Sequence, residues 1–242
     1  MPPKKRAINR SFASVYDTLY DNPLFYARRT DFILSALWTE EGLLLDAGCA
    51  TGWQMEELQA RGRAVIGLDN DRHMLTFASG NSMDAPLVCG DLRRLPFRAA
   101  FTGILCLESP LAYLLDDNDF LMALRSLRRA LLPGGRLIFD VYDYVAMLWP
   151  TAMGRVRMWL GSVRIAESHS YDEQTRVWTM KQRFAVDEGA RTRRFEVIHR
   201  LKMRTPDEYA AALEQTGFVI HEMLDGYPDL PEKRIVVVSS AR

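Results

Sequence analysis

The chain has 242 residues, with 31 lysines and arginines against 31 aspartates and glutamates, so its formal net charge is zero. This balance excludes a general attraction to nucleic acid or to an anionic membrane surface, and the sequence holds no apolar run long enough to span a membrane. The length is sufficient for one α/β core with an added element.

Aromatic residues are prominent near the start of the chain. Tyr16 and Tyr20 are spaced as neighbours on one face of a helix, and a second helix-like stretch runs from Phe25 to Trp38. A phenol suits a cover over a ligand, because it shields apolar atoms and still offers one hydrogen bond. The same spacing also suits simple packing of a helix on a sheet, and both interpretations stay open.

A strand, a tight loop and a helix start are predicted between Leu43 and Trp53. The apolar run ends in Asp46, and the chain then turns through Gly48 and Gly52. Glycine allows a sharp turn and close approach of a ligand, and a helix N-terminus offers free N–H groups to an anion. The pattern is typical of a nucleotide-type cofactor site, but the dinucleotide fingerprint is not met because alanine and tryptophan replace its later glycines.

Two further apolar strands end next to an acid. Asp69 follows Ala64–Leu68, and Asp91 follows Leu87–Cys89 and Gly90. An acid about 20 residues beyond the first loop suits the ribose hydroxyls of a cofactor, since a carboxylate accepts two hydrogen bonds side by side. Each acid could also merely end a strand or cap a helix.

The next segments continue the alternation of strand and helix. Phe101–Leu107 is predicted as a buried strand, Asp119–Ala130 as a helix, and Arg136–Val141 as another buried strand. Near the end of the chain, Thr205-Pro206-Asp207-Glu208 predicts a capped helix start. Two more strands are predicted at Phe218–Met223 and Ile235–Val238.

One region departs from this alternation. Arg155–Trp159, Arg176–Val186 and Arg193–Met203 show a period of two residues, which predicts an antiparallel ribbon of about three strands. The ribbon follows the fifth strand, so it rises from the edge of the sheet at which ligands bind. It is predicted either to cover a substrate cleft or to form a dimer contact.

Together these segments resemble the class I S-adenosylmethionine (SAM) methyltransferases. Asp46, Gly48, Ala50 and Gly52 match the first motif of that family, D-x-G-x-G-x-G, with alanine at the middle glycine, and the G-D-x-x-x-L-P-F run at 90–97 is similar to a later motif. The resemblance covers nearly the whole chain. It implies an α/β fold with a Rossmann-like, doubly wound seven-stranded sheet, the last strand antiparallel, and a small antiparallel β insertion.

Two segments resemble the small-molecule N-methyltransferase branch, of the sugar-amine and glycine type. They are Phe12–Tyr20 and Cys106–Leu114, although Glu108, Ser109 and Pro110 depart from the pattern within the second. The resemblance implies SAM as cofactor and a small-molecule acceptor methylated at nitrogen. Methylation of RNA or protein, and a non-catalytic SAM-binding partner subunit, remain as alternatives.

The resemblance also divides the chain and assigns the cofactor site. The predicted parts are a helical lid (1–38), a SAM-binding core (39–154), the β insertion over the substrate cleft (155–204) and the end of the core (205–242). The predicted cofactor contacts are Tyr20, Tyr26, Asp46, Gly48, Cys49, Ala50, Gly52, Asp69, Asn70, Met74, Asp91, Leu92 and Leu107.

A general base is needed only if the acceptor is a hydroxyl, because a neutral amine can attack without one. The predicted candidates are Glu108, Tyr142, His169 and His199, with Asp143 beside them, and each is more readily explained as a structural or solvated residue. The three cysteines, Cys49, Cys89 and Cys106, lack metal-ligand spacing and are predicted to be reduced, packed thiols of a cytoplasmic protein. No metal, nucleic acid or membrane is expected as a partner, and a homodimer is left open.

Overall fold

The computed structural model describes residues 4–37, 41–80, 84–148, 155–230 and 233–242. They form a seven-stranded sheet with helices on both faces and a separate four-stranded sheet. The strands are β1 Leu44–Ala47, β2 Val65–Asp69, β3 Leu87–Cys89, β4 Phe101–Cys106, β5 Leu131–Tyr142, β6 Arg155–Leu160, β7 Val163–Asp172, β8 Val177–Asp187, β9 Thr192–Lys202, β10 Phe218–Asp225 and β11 Arg234–Ala241. The α-helices are α1 Lys4–Tyr20, α2 Pro23–Leu37, α3 Trp53–Ala60, α4 Arg72–Gly80, α5 Asp117–Ala130, α6 Tyr144–Leu148 and α7 Pro206–Gln215.

In the larger sheet the strands lie in the order β10-β11-β5-β4-β1-β2-β3. β1 to β5 pair in parallel, whereas β11 is antiparallel to both β5 and β10. The order reverses at β1, and in sheets of this kind a ligand binds beyond the carboxyl ends of the strands at the point of reversal. The predicted Rossmann-like sheet with an antiparallel last strand is therefore confirmed.

Alternate side chains of the strands enter two buried clusters. On β4, Ile104 and Cys106 belong to the cluster that α5 and α7 complete, whereas Leu105 belongs to the cluster that α2 and α3 complete. Strands buried on both faces read as continuous apolar runs. Each aliphatic side chain buried in this way contributes about 1.5–3 kcal/mol.

The four-stranded sheet is the predicted β insertion, but it has one strand more than predicted. Its order is β6-β7-β8-β9, all antiparallel. The sequence reading overlooked β7, because the inward positions of this strand change from Val163 and Ile165 to Glu167 and His169, so the apolar alternation stops halfway. The prediction of about three strands was wrong for this reason.

The predicted start of α7 is confirmed, and its first turn also contacts the small sheet. Thr205 Oγ1 accepts a hydrogen bond from the Glu208 amide at 3.3 Å, and Glu208 Oε2 accepts one from the Thr205 amide at 2.8 Å. The same carboxylate forms two bonds, of 2.8 and 2.5 Å, with Arg176 at the turn between β7 and β8. The Arg176 guanidinium is the main reason that the pKa of Glu208 falls to about 2.

Helix α1 lies between the four-stranded sheet and α4. Phe12 and Val15 of α1 share a buried cluster with Phe184 and Val197 of the sheet and with Met74 of α4. The helix and the small sheet are therefore packed together through one shared buried cluster. The predicted division of the chain stays a prediction, because the boundaries at 38–39 and at 154 lie outside the described residues.

The cysteines divide differently from the prediction. Cys49 and Cys106 are buried, but Cys89 is exposed. The prediction of a packed thiol at Cys89 was wrong, because Cys89 lies on β3, the edge strand of the sheet, which has a neighbouring strand on one side only. Among the described residues, no helix is both long enough and apolar enough to cross a membrane.

Candidate functional site

The loop after β1 has a left-handed backbone at every second residue. The angle φ is +104° at Gly48, +47° at Ala50 and +96° at Gly52. A side chain at Gly48 would also collide with Pro110, because an added Cβ would lie 2.7 Å from its Cγ. Ala50 tolerates a strain of about 1–2 kcal/mol that glycine would avoid. Backbone geometry and close packing thus explain the glycine spacing read from the sequence.

Asp69, at the end of β2, holds this loop. Its Oδ2 accepts a hydrogen bond from the Ala50 amide at 3.0 Å, and its Oδ1 accepts one from the Asp71 amide at 2.8 Å. Burial raises the pKa of Asp69, against the lowering effect of these backbone bonds. The carboxylate keeps further lone pairs for a ligand.

A cavity of about 680 Å³, here called the large cavity, opens beyond the ends of β1, β2 and β3. Phe12 of α1 and Val197 of the small sheet close its other side. Its size is that of a small-molecule or cofactor site. The predicted cofactor contacts that line it are Gly48, Ala50, Asp69, Asn70, Met74, Asp91, Leu92 and Leu107.

A second cavity, of about 30 Å³, adjoins the glycine loop and is called the loop cavity. Tyr26, Asp46 and Cys49 line it as predicted, together with Arg29. Burial raises the pKa of Asp46 to about 7, although Arg29 opposes the shift. A carboxyl group that can ionise beside a buried guanidinium suits a ligand that carries both an ammonium and a carboxylate.

A third cavity, of about 60 Å³, is lined mainly by rings and is called the aromatic cavity. Its aromatic residues are Phe12, Tyr16, Tyr20, Tyr113, Tyr142 and Tyr144. Glu108 and Tyr16 line all three cavities, so they stand at the junction. Tyr20, predicted as a cofactor contact, lines this cavity, and its ring centroid lies 4.4 Å from that of Tyr16. Sequence reasoning did not single out Tyr16 as the junction residue.

Asp91 lies in the wall of the large cavity, but its carboxylate is already paired. It accepts a hydrogen bond from the Arg93 amide at 2.9 Å and forms a bidentate ion pair with the Arg93 guanidinium. The same guanidinium also donates to Asp119. The hydrogen bonds from Arg93 lower the pKa of Asp91. The capping role that the sequence left open is therefore present in the structure.

Glu108 stands on a left-handed backbone, with φ of +66°, at the end of β4. Its carboxylate pairs with Arg29 and, at 3.2 Å, with Arg234, and Arg234 also contacts Asp140 and the Tyr142 hydroxyl. Burial alone would raise the pKa of Glu108, but the two guanidinium groups hold it below its ordinary value. The predicted base is thus an ionised ion-pair partner, and Tyr142 belongs to the same network.

The two predicted histidines occupy different positions. His199 lines the large and aromatic cavities, and burial lowers its pKa to about 4 despite the opposing charge of Glu167. His169 lines none of the three cavities described above. Asp143 lines none of them either, and it accepts a hydrogen bond from the Ala146 amide at 2.9 Å at the start of α6.

A contact missed by sequence reasoning joins α1 to the glycine loop. Asp17 Oδ1 accepts hydrogen bonds from Thr51 Oγ1 at 2.5 Å and from Trp53 Nε1 at 3.0 Å. The helix is therefore fixed over the loop by a carboxylate. The position of Asp17 directly after Tyr16 was the only sequence signal, and a lone aspartate on a helix is normally interpreted as solvated.

Comparison with known proteins agrees with this geometry. Residues 44–135 match the family model described as a methyltransferase domain. The chain is 31% identical, over 77% of its length and 74% of the relative's, to a dTDP-4-amino-2,3,4,6-tetradeoxy-D-glucose N,N-dimethyltransferase of Saccharopolyspora spinosa. The chain therefore belongs to the class I SAM-dependent methyltransferases, in the branch that contains the sugar N-methyltransferases, and its cofactor is SAM.

Solved structures show the same fold. A SAM-dependent methyltransferase from Clostridium acetobutylicum superimposes with a TM-score of 0.81 at 19% identity, covering 96% of this chain and 98% of the other. A SAM-bound amino pentose methyltransferase from Micromonospora echinaspora gives a TM-score of 0.76 at 23% identity, covering 96% and 97%.

Proposed function

We propose that this protein transfers a methyl group from SAM to an amine nitrogen of a small molecule, of the amino-sugar class. The observation that carries the proposal is the weakness of the bases around the aromatic cavity. Glu108 is held ionised by two arginines, and the pKa of His199 is about 4. A hydroxyl acceptor would need a base matched to neutral pH, whereas a neutral amine attacks with its own lone pair.

We assign the adenosine part of SAM to the large cavity and its amino-acid part to the loop cavity. Asp69 would accept both ribose hydroxyls, and Asn70, Met74 and Leu92 would surround the base. Asp46 would face the ammonium and Arg29 the carboxylate. The size of the large cavity and this donor set support the fit.

The remaining predicted contacts are part of the same assignment. Gly48, Cys49, Ala50 and Gly52 provide the backbone of the loop, Tyr26 and Leu107 provide apolar walls, and Asp91 stands near the base end. Tyr20 is assigned to the acceptor instead, because it lines the aromatic cavity.

When bound, SAM supplies a methyl group on a positively charged sulfur, which a nucleophile attacks in line as a neutral thioether leaves. The contribution of the chain is alignment and exclusion of water, which can lower a barrier by up to about 7–11 kcal/mol. Glu108 and Tyr16, at the junction of the cavities, would border the methyl group. The rings of the aromatic cavity would hold the acceptor.

The relative from Saccharopolyspora spinosa dimethylates the amine of a dTDP-linked deoxy sugar, as its name states. This supports an amino-sugar acceptor here, free or nucleotide-linked. The experiment is a screen with methyl-labelled SAM against amino sugars, their nucleotide derivatives, matched hydroxyl sugars and a short RNA. We expect label in the amines alone. Label in a hydroxyl or in RNA would contradict the proposal, and tight SAM binding without any transfer would favour the non-catalytic partner subunit.

We further propose that the protein acts in the cytoplasm, supported by free thiols at Cys49, Cys89 and Cys106. A homodimer remains a prediction, which analytical ultracentrifugation of the purified protein tests directly.

A further inference from the structure

A stripe of polar side chains crosses the inner face of the small sheet. On that face Glu167 of β7 stands opposite Gln182 of β8, and His199 of β9 lies two residues beyond the partner of Gln182. The stripe continues to a tyrosine after β4 at one end and to a tryptophan of β8 at the other. We call this set the polar relay: Tyr113, His199, Gln182, Glu167, His169 and Trp178.

Hydrogen bonds join every member of the polar relay to the next. The Tyr113 hydroxyl lies 2.7 Å from His199 Nδ1, and His199 Nε2 lies 3.2 Å from Gln182 Oε1. Gln182 Nε2 donates to Glu167 Oε1 at 2.6 Å. The other carboxylate oxygen lies 3.3 Å from His169 Nε2, and the Trp178 indole N–H donates to His169 Nδ1 at 3.3 Å.

Apart from Tyr113, the polar relay lies between two apolar clusters. Val163, Ile165 and Phe184 flank it on one side, and Met180 and Leu201 flank it on the other. An apolar sheet face would have served packing at least as well, because buried polar groups stabilise little even when fully paired. The arrangement therefore indicates a task beyond packing.

One end of the polar relay reaches the proposed site. Tyr113 lines both the large and the aromatic cavity, and it is about half exposed. Glu167 and His169 line none of the three cavities. The hydrogen bonds described above connect these two residues to the site through Gln182 and His199.

The far end of the polar relay fixes where its protons lie. An indole N–H can only donate, so His169 Nδ1 accepts and His169 Nε2 carries the hydrogen that Glu167 receives. Burial would raise the pKa of Glu167, but the bonds from His169 and Gln182 hold it below its ordinary value, so it is ionised and only accepts. Gln182 must then turn its amide nitrogen to Glu167 and its oxygen to His199.

The near end follows from this orientation. The amide oxygen of Gln182 requires a hydrogen on His199 Nε2. His199 is neutral at neutral pH, since burial lowers its pKa to about 4, and its Nδ1 therefore has a free lone pair. The Tyr113 hydroxyl must donate to that lone pair, and its own oxygen lone pairs are left for the cavities.

We infer that the polar relay fixes the Tyr113 proton on the His199 side, so that the phenol oxygen accepts an N–H from the acceptor amine and orients it at the junction of the cavities. The inference rests on the proposed function. Tyr113 is the residue that touches the acceptor. Glu167, Gln182, His169 and His199 are positioning residues.

This arrangement also selects among amines. A primary or secondary amine has an N–H to give to the Tyr113 oxygen, whereas a neutral tertiary amine has none. Each methylation removes one N–H, so a fully methylated product loses this hydrogen bond.

The sharpest test is Glu167→Gln, which changes few atoms at a residue that lines none of the three cavities. His169, still locked by Trp178, must donate to the new amide oxygen, so the new amide nitrogen faces Gln182. Gln182 must then flip and donate to His199, which moves the His199 hydrogen to Nδ1. Tyr113 would now receive that hydrogen and turn its own proton into the cavity.

The first readout is the tautomer of His199 from nitrogen chemical shifts of isotope-labelled protein with S-adenosylhomocysteine bound. We expect the Nε2–H form in the parent and the Nδ1–H form in Glu167→Gln. Glu196→Gln, on the outer face of the same sheet and paired with Lys181 and Arg183, is the matched control and should keep the parental form. The inference would be overturned if His199 carried its hydrogen on Nδ1 in the parent, or if its tautomer were the same in Glu167→Gln as in the parent.

The second readout needs no known substrate. In the same samples, propylammonium and trimethylpropylammonium are titrated as probes with and without an N–H. We expect Glu167→Gln and Tyr113→Phe each to weaken propylammonium binding about tenfold, since a hydrogen bond to a charged group is lost. Binding of the trimethylated probe should not change in Tyr113→Phe. In Glu167→Gln it should fall by less than that of propylammonium, because the lost charge acts on both cations. Equal losses for both probes would indicate a merely structural role and overturn the inference.

With an amine acceptor from the screen, both variants should lower kcat about tenfold to hundredfold with an unchanged Kd for SAM. If no acceptor is methylated while the tautomer and the probes behave as expected, the proposed function fails and the polar relay stands. If amines are methylated but the His199 tautomer does not change in Glu167→Gln, the proposed function stands and the inference about the polar relay fails.

Discussion

At the scale of single residues, the site depends on carboxylates whose surroundings drive their pKa values apart. Asp46 is buried and its pKa rises to about 7, whereas two arginines hold the pKa of Glu108 below its ordinary value. Burial also raises the pKa of Asp69, while the two backbone amides that donate to its oxygens oppose the shift. Burial acts on all three, and the number of donors around each decides the result.

We expect Asp69→Ala to lower the affinity for S-adenosylhomocysteine by ten- to a hundredfold. The ribose hydroxyls would lose a charged acceptor, and such a hydrogen bond is worth about 1.5–3 kcal/mol. Calorimetric titration measures the change, with Asp84→Ala at an exposed position as control. An unchanged dissociation constant in a folded Asp69→Ala protein would refute the assigned role.

Glu108→Gln should destabilise the fold by about 3 kcal/mol at pH 7, because two buried guanidinium groups lose their shared partner. The folded pKa of Glu108 is depressed, so its contribution is present above the unfolded pKa of about 4.3 and is lost as pH falls through the folded pKa. The difference from the parent should therefore shrink below about pH 4.

Urea unfolding at pH 7 and at pH 3.5–4 tests this dependence on Glu108. Glu188→Gln, which removes an exposed pair with Arg193, should change stability by no more than about 1 kcal/mol. If the stability difference between Glu108→Gln and the parent grew on acidification, the expected pH dependence would have the wrong sign.

At the scale of elements, α1 is the component that completes the site. It contributes Phe12, Tyr16 and Tyr20 to the cavities, and Asp17 fixes it to the glycine loop. The helix packs between the small sheet and α4 rather than directly on the larger sheet. The helix thus packs on the small sheet and on α4 while three of its rings line the cavities. Its role as a cover over a ligand stays a prediction.

Asp17→Ala should release this helix, with a loss of about 2 kcal/mol in stability as two bonds to a charged acceptor disappear. Tryptic cleavage at Arg10 should then become faster in the ligand-free protein. Asp21→Ala, at an exposed position just after α1, is the control and should be cut at the parental rate. Equal cleavage of all three proteins would mean that other contacts hold α1.

At the scale of the whole molecule, the two sheets share a core. Trp178, Leu201 and Met203 of the insertion region belong to the same buried cluster as Leu45 and Phe139 of the larger sheet. The ion pair between the small sheet and α7 adds a second link. The insertion is therefore packed as part of the main body of the protein.

We expect Leu201→Ala to lower the free energy of unfolding by about 2–5 kcal/mol, the range for a fully buried leucine. The loss should appear in one transition, monitored both by far-ultraviolet and by near-ultraviolet circular dichroism. Ile198→Ala, at an exposed position on the same strand, should cost less than about 1 kcal/mol. Two separate transitions would show instead that the small sheet unfolds independently.

The sequence by itself determined the features that depend on neighbouring residues. Left-handed φ values at alternate positions require the spacing of Gly48, Ala50 and Gly52, and burial on both faces produces the apolar runs of the core strands. The acids that end β2 and β3 could be located from those strands. Most of the predicted residues that line the large cavity could therefore be located from the sequence, whereas their role in cofactor binding stays a prediction.

Only the tertiary structure decided how distant residues meet. Arg29, Glu108 and Arg234 lie on separate elements, and no local pattern distinguishes a buried arginine from a solvated one. The same is true of Glu167 and His169, whose polar side chains interrupted the alternation of β7 and concealed the strand. A charge is retained inside a protein only where a partner from elsewhere in the chain offsets its desolvation, and that partner becomes visible only once the chain is folded.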